Sequence, residues 1–296
     1  MTELSIIIPH FNSEKSLVRL LETIPLSNDI QVVVVDDNSD SFDIEYYRKA
    51  YPKYEFHINT RGKGAGGARN TGLTFACGTW VTFADSDDYF CEKELENVLA
   101  LISEKDVNAD IVFFKPSSVF LNEERKATRH KKYAELVADF IRESSDINKT
   151  KLLFSHYVPW SKFIKLDLIK NNNIHFDETI IANDGMFSAK CSLLSKETKA
   201  YENEIYTVTV SSDSLTKIKN VEFFRVRIEV FTRMYHFLPS NIKKIIGMSP
   251  LSLVRMSLIY GLSEFARTVI YFRRNNVKFF RYLNFASLRR FILSNK

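Results

Sequence analysis

Cysteine is scarce in this sequence: 296 residues contain three, Cys77, Cys91 and Cys191, widely spaced and without a metal-ligand pattern. An odd, scattered set indicates free thiols in a reducing compartment, and ordinary buried small residues are the simplest interpretation. A secretory signal is also lacking, because Glu3 stands directly before the first apolar run, where a signal would carry positive charge. The sequence therefore predicts a cytoplasmic protein.

The chain has no internal repeat, no low-complexity tract and no linker rich in proline, glycine and serine. Its composition is 45% hydrophobic and 13% aromatic, with a net charge of only +5. A chain of this kind can bury a full core and is not of the disordered class.

The small net charge hides an asymmetry between the two ends. Residues 220–296 contain fourteen lysines or arginines and three acidic residues, a net of +11. The first 219 residues then carry 27 basic and 33 acidic residues, a net of −6. We expect a catalytic domain over 1–218 and a basic helical C-terminal region over 219–296, with the boundary near Thr216 to Val221.

Short apolar runs alternate with helical patterns over the first 115 residues. Five runs resemble buried strands, at 4–8, 30–35, 54–58, 80–84 and 111–114. Helical spacing of apolar residues lies between them. This alternation predicts an α/β fold, with a mostly parallel sheet flanked by helices. Such sheets bind ligands where the carboxyl ends of their strands meet.

Acidic and glycine-rich segments follow the second, third and fourth predicted strands. Asp85, Asp87 and Asp88 lie within four residues of one another directly after an apolar run. Oxygen ligands of this kind suit Mg²⁺ or Mn²⁺, which usually take one or two protein carboxylates together with substrate phosphates. The alternative is a polar turn in which Asp88 caps the next helix.

Six of the nine glycines fall between Gly62 and Gly78, and three cations accompany them over 61–70. A loop of this composition can bring backbone amides and a guanidinium close to a diphosphate. It is not a Walker loop, because no Gly-Lys-Ser/Thr follows the glycines. The alternative is a flexible surface loop.

Several motifs then resemble the family 2 glycosyltransferases, which have the Rossmann-like GT-A fold. In order along the chain they are SIIIPHFN (5–12), VVVDDNS (33–39), ARNTGL (68–73), ACGTW (76–80), FADSDD (83–88), WSKF (160–163), FDE (176–178) and NDGMF (183–187). They cover about residues 4 to 216, and their order is more specific than any one motif. Two departures are His10, where the family usually has a small or apolar residue, and Asn183, where it usually has an acid.

The resemblance implies roles for individual residues. In the nucleotide-sugar site, Pro9 and Phe11 would be walls of the nucleobase pocket, and Asp37 would accept a hydrogen bond from the base. The other residues of this site would be Asn59, Arg69, Asp85 and Asp87. A hydrogen bond from the base to Asp37 fits uracil, so a UDP-sugar is the favoured donor. Asp87 would ligate Mn²⁺ or Mg²⁺, Asp85 would contact the donor ribose or the metal, and Asp184 would be the general base. Residues 1–115 would then bind the nucleotide and 116–218 the acceptor.

Asp184 also precedes a helical pattern through Phe187, Cys191 and Leu194. An aspartate at a helix N-terminus stabilises the helix by about 0.5–2 kcal/mol as a cap. The residue pattern alone favours that simpler role, and only the resemblance favours the base.

The implied activity is an inverting, metal-dependent hexosyltransferase. It would move a sugar to a glycan or lipid-linked saccharide in the synthesis of a cell-surface polysaccharide such as a capsule. In such a reaction a base takes the proton of the acceptor hydroxyl as its oxygen attacks the anomeric carbon. Two other functions are alternatives: a nucleotidyltransferase acting on a sugar phosphate, and a non-catalytic membrane-binding protein. A nucleotidyltransferase would usually carry its glycine-rich loop after the first strand.

The basic tail places cations beside aromatic residues, as in 272–274, 278–282 and 288–291. Arg255, Glu264 and Arg267 interrupt the apolar stretch 250–272, so a spanning helix is not predicted. The composition suits helices that lie on the anionic inner face of the cell membrane. The alternatives are packing on the catalytic domain or on a second subunit, as in a homo-oligomer. No nucleic-acid partner is expected, because no recognised motif accompanies the charge.

Overall fold

The structure is a computed structural model that describes residues 2–104, 107–121, 126–210 and 219–283. Strands within these residues are β1 (Leu4–His10), β2 (Ile30–Asp36), β3 (Glu55–Ile58), β4 (Trp80–Phe83), β5 (Tyr89–Phe90), β6 (Ile111–Phe120), β7 (Lys162–Lys165) and β8 (Thr198–Val210). Helices are α1 (Glu14–Leu21), α2 (Ile44–Ala50), α3 (Ala65–Phe75), α4 (Glu92–Glu104), α5 (Lys131–Arg142), α6 (Asp146–Phe154), α7 (Leu166–Asn171), α8 (Asp184–Leu194), α9 (Val221–Phe237), α10 (Ser240–Ile246), α11 (Leu251–Ser257) and α12 (Leu262–Arg274). A short 3₁₀ turn, Leu258–Tyr260, joins the last two helices.

The strands form one sheet in the order β3-β2-β1-β4-β7-β6-β8-β5. Neighbours β1 to β4 are parallel, and so are β6 and β8, whereas β5 and β7 run antiparallel to their neighbours. The predicted α/β fold and all five predicted strands are confirmed. The antiparallel strands β5 and β7 come from parts of the chain for which the sequence predicted no strand.

The first strand lies at the centre of the core and is buried along its whole length. Because β1 is covered on both faces, its sequence is nearly continuous in apolar residues instead of alternating. Helix α3 packs closely over it: a β-carbon added to Gly72 would lie 2.5 Å from Ile7 Cγ2. This contact sets the direction in which α3 leaves the edge of the sheet.

The C-terminal helices pack against the sheet-bearing part of the chain. Helix α9 lies along α8, and Arg233 of α9 forms an ion pair with Asp177 (2.5 Å). Helix α10 packs on α6. The predicted boundary lies partly outside the described residues, since 211–218 are not described and α9 begins at Val221. Within the described residues, no helix combines the length and the apolar character needed to cross a membrane.

Candidate active site

The ends of β1, β2 and β3 meet at one edge of the sheet. Backbone hydrogen bonds extend their register: the Asp37 amide donates to the His10 carbonyl (2.8 Å), and the Asn59 amide donates to the Asp36 carbonyl (2.7 Å). The Asp37 carboxylate accepts from Asn59 Nδ2 (2.6 Å) and from the Gly64 amide (2.7 Å). Each carboxylate oxygen has a second lone pair. Asp37 therefore holds the glycine-rich loop and can still accept one further donor.

The two predicted walls of the nucleobase pocket differ in exposure. Pro9 is buried within β1, whereas Phe11, just beyond the strand, is 45% exposed. Lys63 of the glycine-rich loop places its ammonium 5.2 Å from the centroid of the Phe11 ring. The structure thus brings Phe11 and this loop together at the open side of the crevice.

The glycine-rich stretch folds back on itself as it enters α3. A β-carbon on Gly67 would lie 1.8 Å from the Gly62 carbonyl oxygen, so the chain can make this approach only with glycine. Glu178 fixes the loop, because its carboxylate accepts from the Gly62 amide (2.8 Å) and from Asn70 Nδ2 (3.1 Å). The stretch is therefore tied to its surroundings by specific contacts, unlike the flexible surface loop of the alternative.

Arg69, on α3, connects the segment after β4 to the start of α8. Its Nη2 donates to Asp85 Oδ1 (2.5 Å), and its Nη1 donates to Asn183 Oδ1 (2.9 Å). The guanidinium also lies 5.4 Å from the Phe176 ring. The side chain is buried, and its Nε has no hydrogen-bond partner among the residues that the structure describes. Two partners thus fix the position of this charge.

The acidic cluster Asp85–Asp88 follows β4, and carboxylate oxygens of its three aspartates lie within 4.8 Å of one another. Asp88 is buried, and its oxygens accept from the Tyr206 hydroxyl (2.9 Å) and the Thr209 amide (2.7 Å). Both partners belong to β8, so Asp88 anchors the turn to the sheet and does not cap α4. The proposed alternative for this residue is wrong.

Asp85 and Asp87 are the members of this cluster that suit a divalent cation. Asp87 is exposed, and its backbone carbonyl accepts a hydrogen bond from Arg19. Partial desolvation and the neighbouring Asp85 charge raise the pKa of Asp87. Burial and the charges of Asp85 and Asp87 raise the pKa of Asp88. A cation would relieve this repulsion, and an all-oxygen set with one or two free carboxylates fits Mg²⁺ or Mn²⁺.

Asp184 is the first residue of α8, as the sequence predicted, and Asn183 occupies the cap position before it. Ala182 precedes both with φ +54°, a left-handed conformation that is unusual for a residue other than glycine. Asp184 is therefore not the helix cap of the simpler interpretation. Burial raises the pKa of Asp184, and the positive charges of Arg69 and Lys162 oppose that increase.

Lys162, in the WSKF motif, is a second cation near Asp184. It lies on β7 with its ammonium 4.9 Å from the Phe113 ring and 5.9 Å from the Tyr133 ring. Burial lowers the pKa of Lys162 to about 8, and the negative charge of Asp184 opposes that decrease. The lysine is thus protonated at neutral pH and loses its proton in a mildly alkaline range.

The sequence did not identify several residues that support the site. Asn183 was noted only as a departure from the family pattern, and Glu178 only as part of a motif without a role. Tyr206, whose hydroxyl also accepts from the Asp85 amide (2.9 Å), has no signal in the sequence because its strand lies about 120 residues further on. For Glu178 and Asn183, the signals in the sequence were the FDE and NDGMF motifs in which they lie.

Comparison with known proteins gives the family. The model of "Glycosyl transferase family 2" matches residues 5–185. The poly(ribitol-phosphate) beta-N-acetylglucosaminyltransferase TarS of Staphylococcus aureus (strain MW2) is 27% identical over 214 residues, which are 70% of this chain and 35% of TarS. The chain therefore spans about a third of the length of this relative.

Two solved structures share the fold. The structure of S. aureus TarS 1-349 in complex with UDP-GlcNAc has a TM-score of 0.67 at 21% identity, covering 92% of this chain and 81% of that chain. The mannosyltransferase PcManGT from Pyrobaculum calidifontis, in complex with GDP-Man and Mn²⁺, has a TM-score of 0.54 at 14% identity, covering 99% and 88%. With the family model matched over more than half of its length and the GT-A architecture in place, the chain belongs to glycosyl transferase family 2.

Proposed function

We propose that this glycosyltransferase moves a sugar, with inversion, from a nucleoside diphosphate donor to a hydroxyl of a cell-surface polysaccharide precursor. UDP is the favoured nucleotide, and the acceptor is a glycan or a lipid-linked saccharide. TarS is named for transfer of N-acetylglucosamine to poly(ribitol-phosphate), so a polyol phosphate polymer joins the acceptors to be tested.

The observation that carries the proposal is the bridge formed by Arg69. One guanidinium joins Asp85, on the predicted donor side, to Asn183, which directly precedes the predicted base. A transferase of this kind needs a donor diphosphate and a base on opposite sides of one reacting carbon. The bridge supports that arrangement, because it ties the two sides to a single side chain.

On the donor side, Asp37 and Asn59 support recognition of the base, and Phe11 offers an exposed ring beside Lys63. Uracil has one N–H donor next to two carbonyl oxygens, and Asp37 can accept from such a donor. Asp85 and Asp87 would hold the divalent cation. When bound, it would supply positive charge to the donor phosphates and stabilise the departing diphosphate. The mannosyltransferase structure, which holds Mn²⁺ together with GDP-Man, supports a metal in this fold.

The chemical step follows from the position of Asp184. The acceptor oxygen attacks the anomeric carbon while its proton passes to the Asp184 carboxylate. The bond between that carbon and the donor phosphate oxygen breaks, and the nucleoside diphosphate leaves with the electron pair. Arg69 stabilises the added negative charge. A half-buried base with a raised pKa is better matched to proton transfer near neutral pH than an exposed carboxylate.

A donor screen tests the proposal. The purified chain is incubated with UDP-, GDP- and dTDP-sugars and divalent metal, and the released nucleoside diphosphate is measured. We expect release of UDP from at least one UDP-sugar, faster when a suitable acceptor is present, with the opposite anomeric configuration in the product. Release of pyrophosphate from a nucleoside triphosphate and a sugar phosphate would instead identify a nucleotidyltransferase. Absence of release from every UDP-sugar would contradict the proposed donor.

A further inference from the structure

The outer layer formed by α11, the 3₁₀ turn, α12 and the residues up to Leu283 exposes an unusual number of large apolar side chains. Five of them lie within 23 residues: Leu258 (47% exposed), Ile259 (60%), Leu262 (79%), Ile270 (49%) and Phe280 (72%). Single exposed apolar residues are ordinary on a protein surface, whereas a concentration of them in one segment marks an interaction surface.

Cations accompany these side chains, and exposed acids do not. Arg267, Arg273, Arg274, Lys278 and Arg281 are all exposed in the same segment. The sequence has one acidic residue after Glu229, and that residue is Glu264. Glu264 is buried and held by Arg225 through two hydrogen bonds, of 3.1 and 2.7 Å. Arg267 Nε also lies 3.8 Å from the Glu264 carboxylate, so the one acidic residue of this segment is paired and adds little negative charge to the outer face.

Helix α12 has a buried face and an outward face. Glu264, Thr268 and Phe272 recur every four residues and are buried against the protein. Leu262 and Ile270 lie on the outward side, where their spacing of eight residues places them about 80° apart around the helix axis, at about 100° per residue. The exposed Arg267, Arg273 and Arg274 share that side with them. The outward face thus combines apolar side chains with guanidinium groups.

We propose that this surface, defined by Leu258, Ile259, Leu262, Ile270 and Phe280 with the surrounding cations, docks on an anionic lipid bilayer. Charge complementarity and apolar exposure together favour that occupant. A bilayer offers negative headgroups to the cations and an acyl boundary to the apolar side chains within a few ångströms. A nucleic acid would use the cations but leave these aliphatic side chains in water. The proposal does not depend on the transfer reaction.

Vesicle flotation with the full chain tests the proposal. We expect the chain to float with vesicles of phosphatidylcholine and phosphatidylglycerol and to stay unbound with phosphatidylcholine alone. Binding should weaken as ionic strength rises from about 0.1 M to about 1 M, because the screening length falls from about 10 Å to about 3 Å. Failure to float with anionic vesicles would overturn the proposal.

Two variants locate the surface. Arg273→Gln, Arg274→Gln and Lys278→Gln together should weaken binding on the order of 100-fold, at about fivefold for each cation. Leu262→Ser with Phe280→Ser should also weaken binding to the anionic vesicles, although the charge of this variant is that of the wild type. All five side chains are exposed, so both variants should unfold at the wild-type temperature.

A matched control separates this surface from net charge. Lys49→Gln, Lys53→Gln and Lys93→Gln remove three exposed cations from the catalytic part of the chain and should leave flotation unchanged. An equal loss in the control, or full binding by both surface variants, would overturn the proposal. The proposal would also be overturned if the Leu262→Ser and Phe280→Ser variant kept full vesicle binding and changed only its oligomeric state in light scattering. The surface would then join two copies of the chain.

Discussion

Replacement of Arg69 by lysine is the most informative single change in the site. Lysine keeps the positive charge but has one ammonium, which cannot reach Asp85 and Asn183 in the planar, two-armed geometry of a guanidinium. The arginine spans these partners at 2.5 and 2.9 Å. Arg69→Lys therefore tests the bridge separately from the charge.

The size of the effect follows from the hydrogen bonds that are lost. Lysine can keep the contact to Asp85, so one hydrogen bond made by a charged donor disappears. Such a bond contributes about 1.5–3 kcal/mol. If the bond serves the transition state, kcat/KM should fall about 10- to 150-fold, at tenfold for each 1.4 kcal/mol. Donor affinity should change less, because the charge remains.

The assay is the rate of nucleoside diphosphate release with a saturating acceptor, measured for four proteins: wild type, Arg69→Lys, Asn183→Ala and the double variant. Each single variant removes the same contact from one side. If the bridge acts as a unit, the double variant should be no worse than the poorer single variant. The coupling energy is then that of the shared hydrogen bond, about 1.5–3 kcal/mol. Isothermal titration with UDP measures donor binding separately.

Two results would refute this reasoning. The losses in kcat/KM, expressed as free energies, could simply add in the double variant. That result would show that Arg69 and Asn183 act independently. Wild-type kcat/KM in Arg69→Lys would show that only the charge matters, and that the contact to Asn183 has no part in the reaction.

Three further changes test the metal and the base. Asp87→Ala is expected to abolish transfer at an unchanged unfolding temperature, because this carboxylate is exposed. Excess EDTA should abolish transfer by the wild type. Activity that survives both the substitution and EDTA would contradict the metal site. Asp184→Asn should keep the Kd for UDP and lose about 10²- to 10⁴-fold in turnover. Burial raises the pKa of Asp184, so its ionised form opposes folding at neutral pH. The Asp184→Asn variant should therefore unfold at or above the wild-type temperature, and the difference should shrink as the pH falls. A lower unfolding temperature would contradict the raised pKa of Asp184. Lys162→Met removes a charge that favours ionised Asp184, so the acid limb of the pH–rate profile should move to higher pH. The profiles of the variant and the wild type should meet above about pH 8, where Lys162 itself loses its proton. Identical profiles would refute the coupling between Lys162 and Asp184.

The part of the sheet formed by β1 to β4 could be predicted because its signals are local. Strands β1, β2 and β4 are buried along nearly their whole length, so their sequences are apolar throughout, and each ends at a polar segment. Parallel strands bring their carboxyl ends to one edge, which places Asp37, the glycine-rich loop and the acidic cluster in one crevice without any knowledge of contacts.

The part of the sheet that contains β7 could not be predicted in the same way. Strand β7 has four residues with lysine at both ends, and it lies in the sheet because β4 and β6 pair with it from elsewhere in the chain. The contacts that organise the site are also distant: Arg69 meets Asn183 across 114 residues, and the Asp85 amide meets Tyr206 across 121. No local pattern carries such a pairing, and only the order of the family motifs indicated that these segments meet.

Asn183 alters the charge of the site while keeping its hydrogen bond. The family usually has an acid at this position, where a carboxylate would face Arg69 opposite Asp85. The Asn183 amide oxygen accepts the same bond, at 2.9 Å, without a negative charge. An acid there would offset the charge of Arg69 and raise the pKa of Asp184 further, since Arg69 is the main group that opposes the effect of burial. In the proposed mechanism, asparagine therefore favours an ionised Asp184 at lower pH and leaves more of the Arg69 charge for the departing diphosphate.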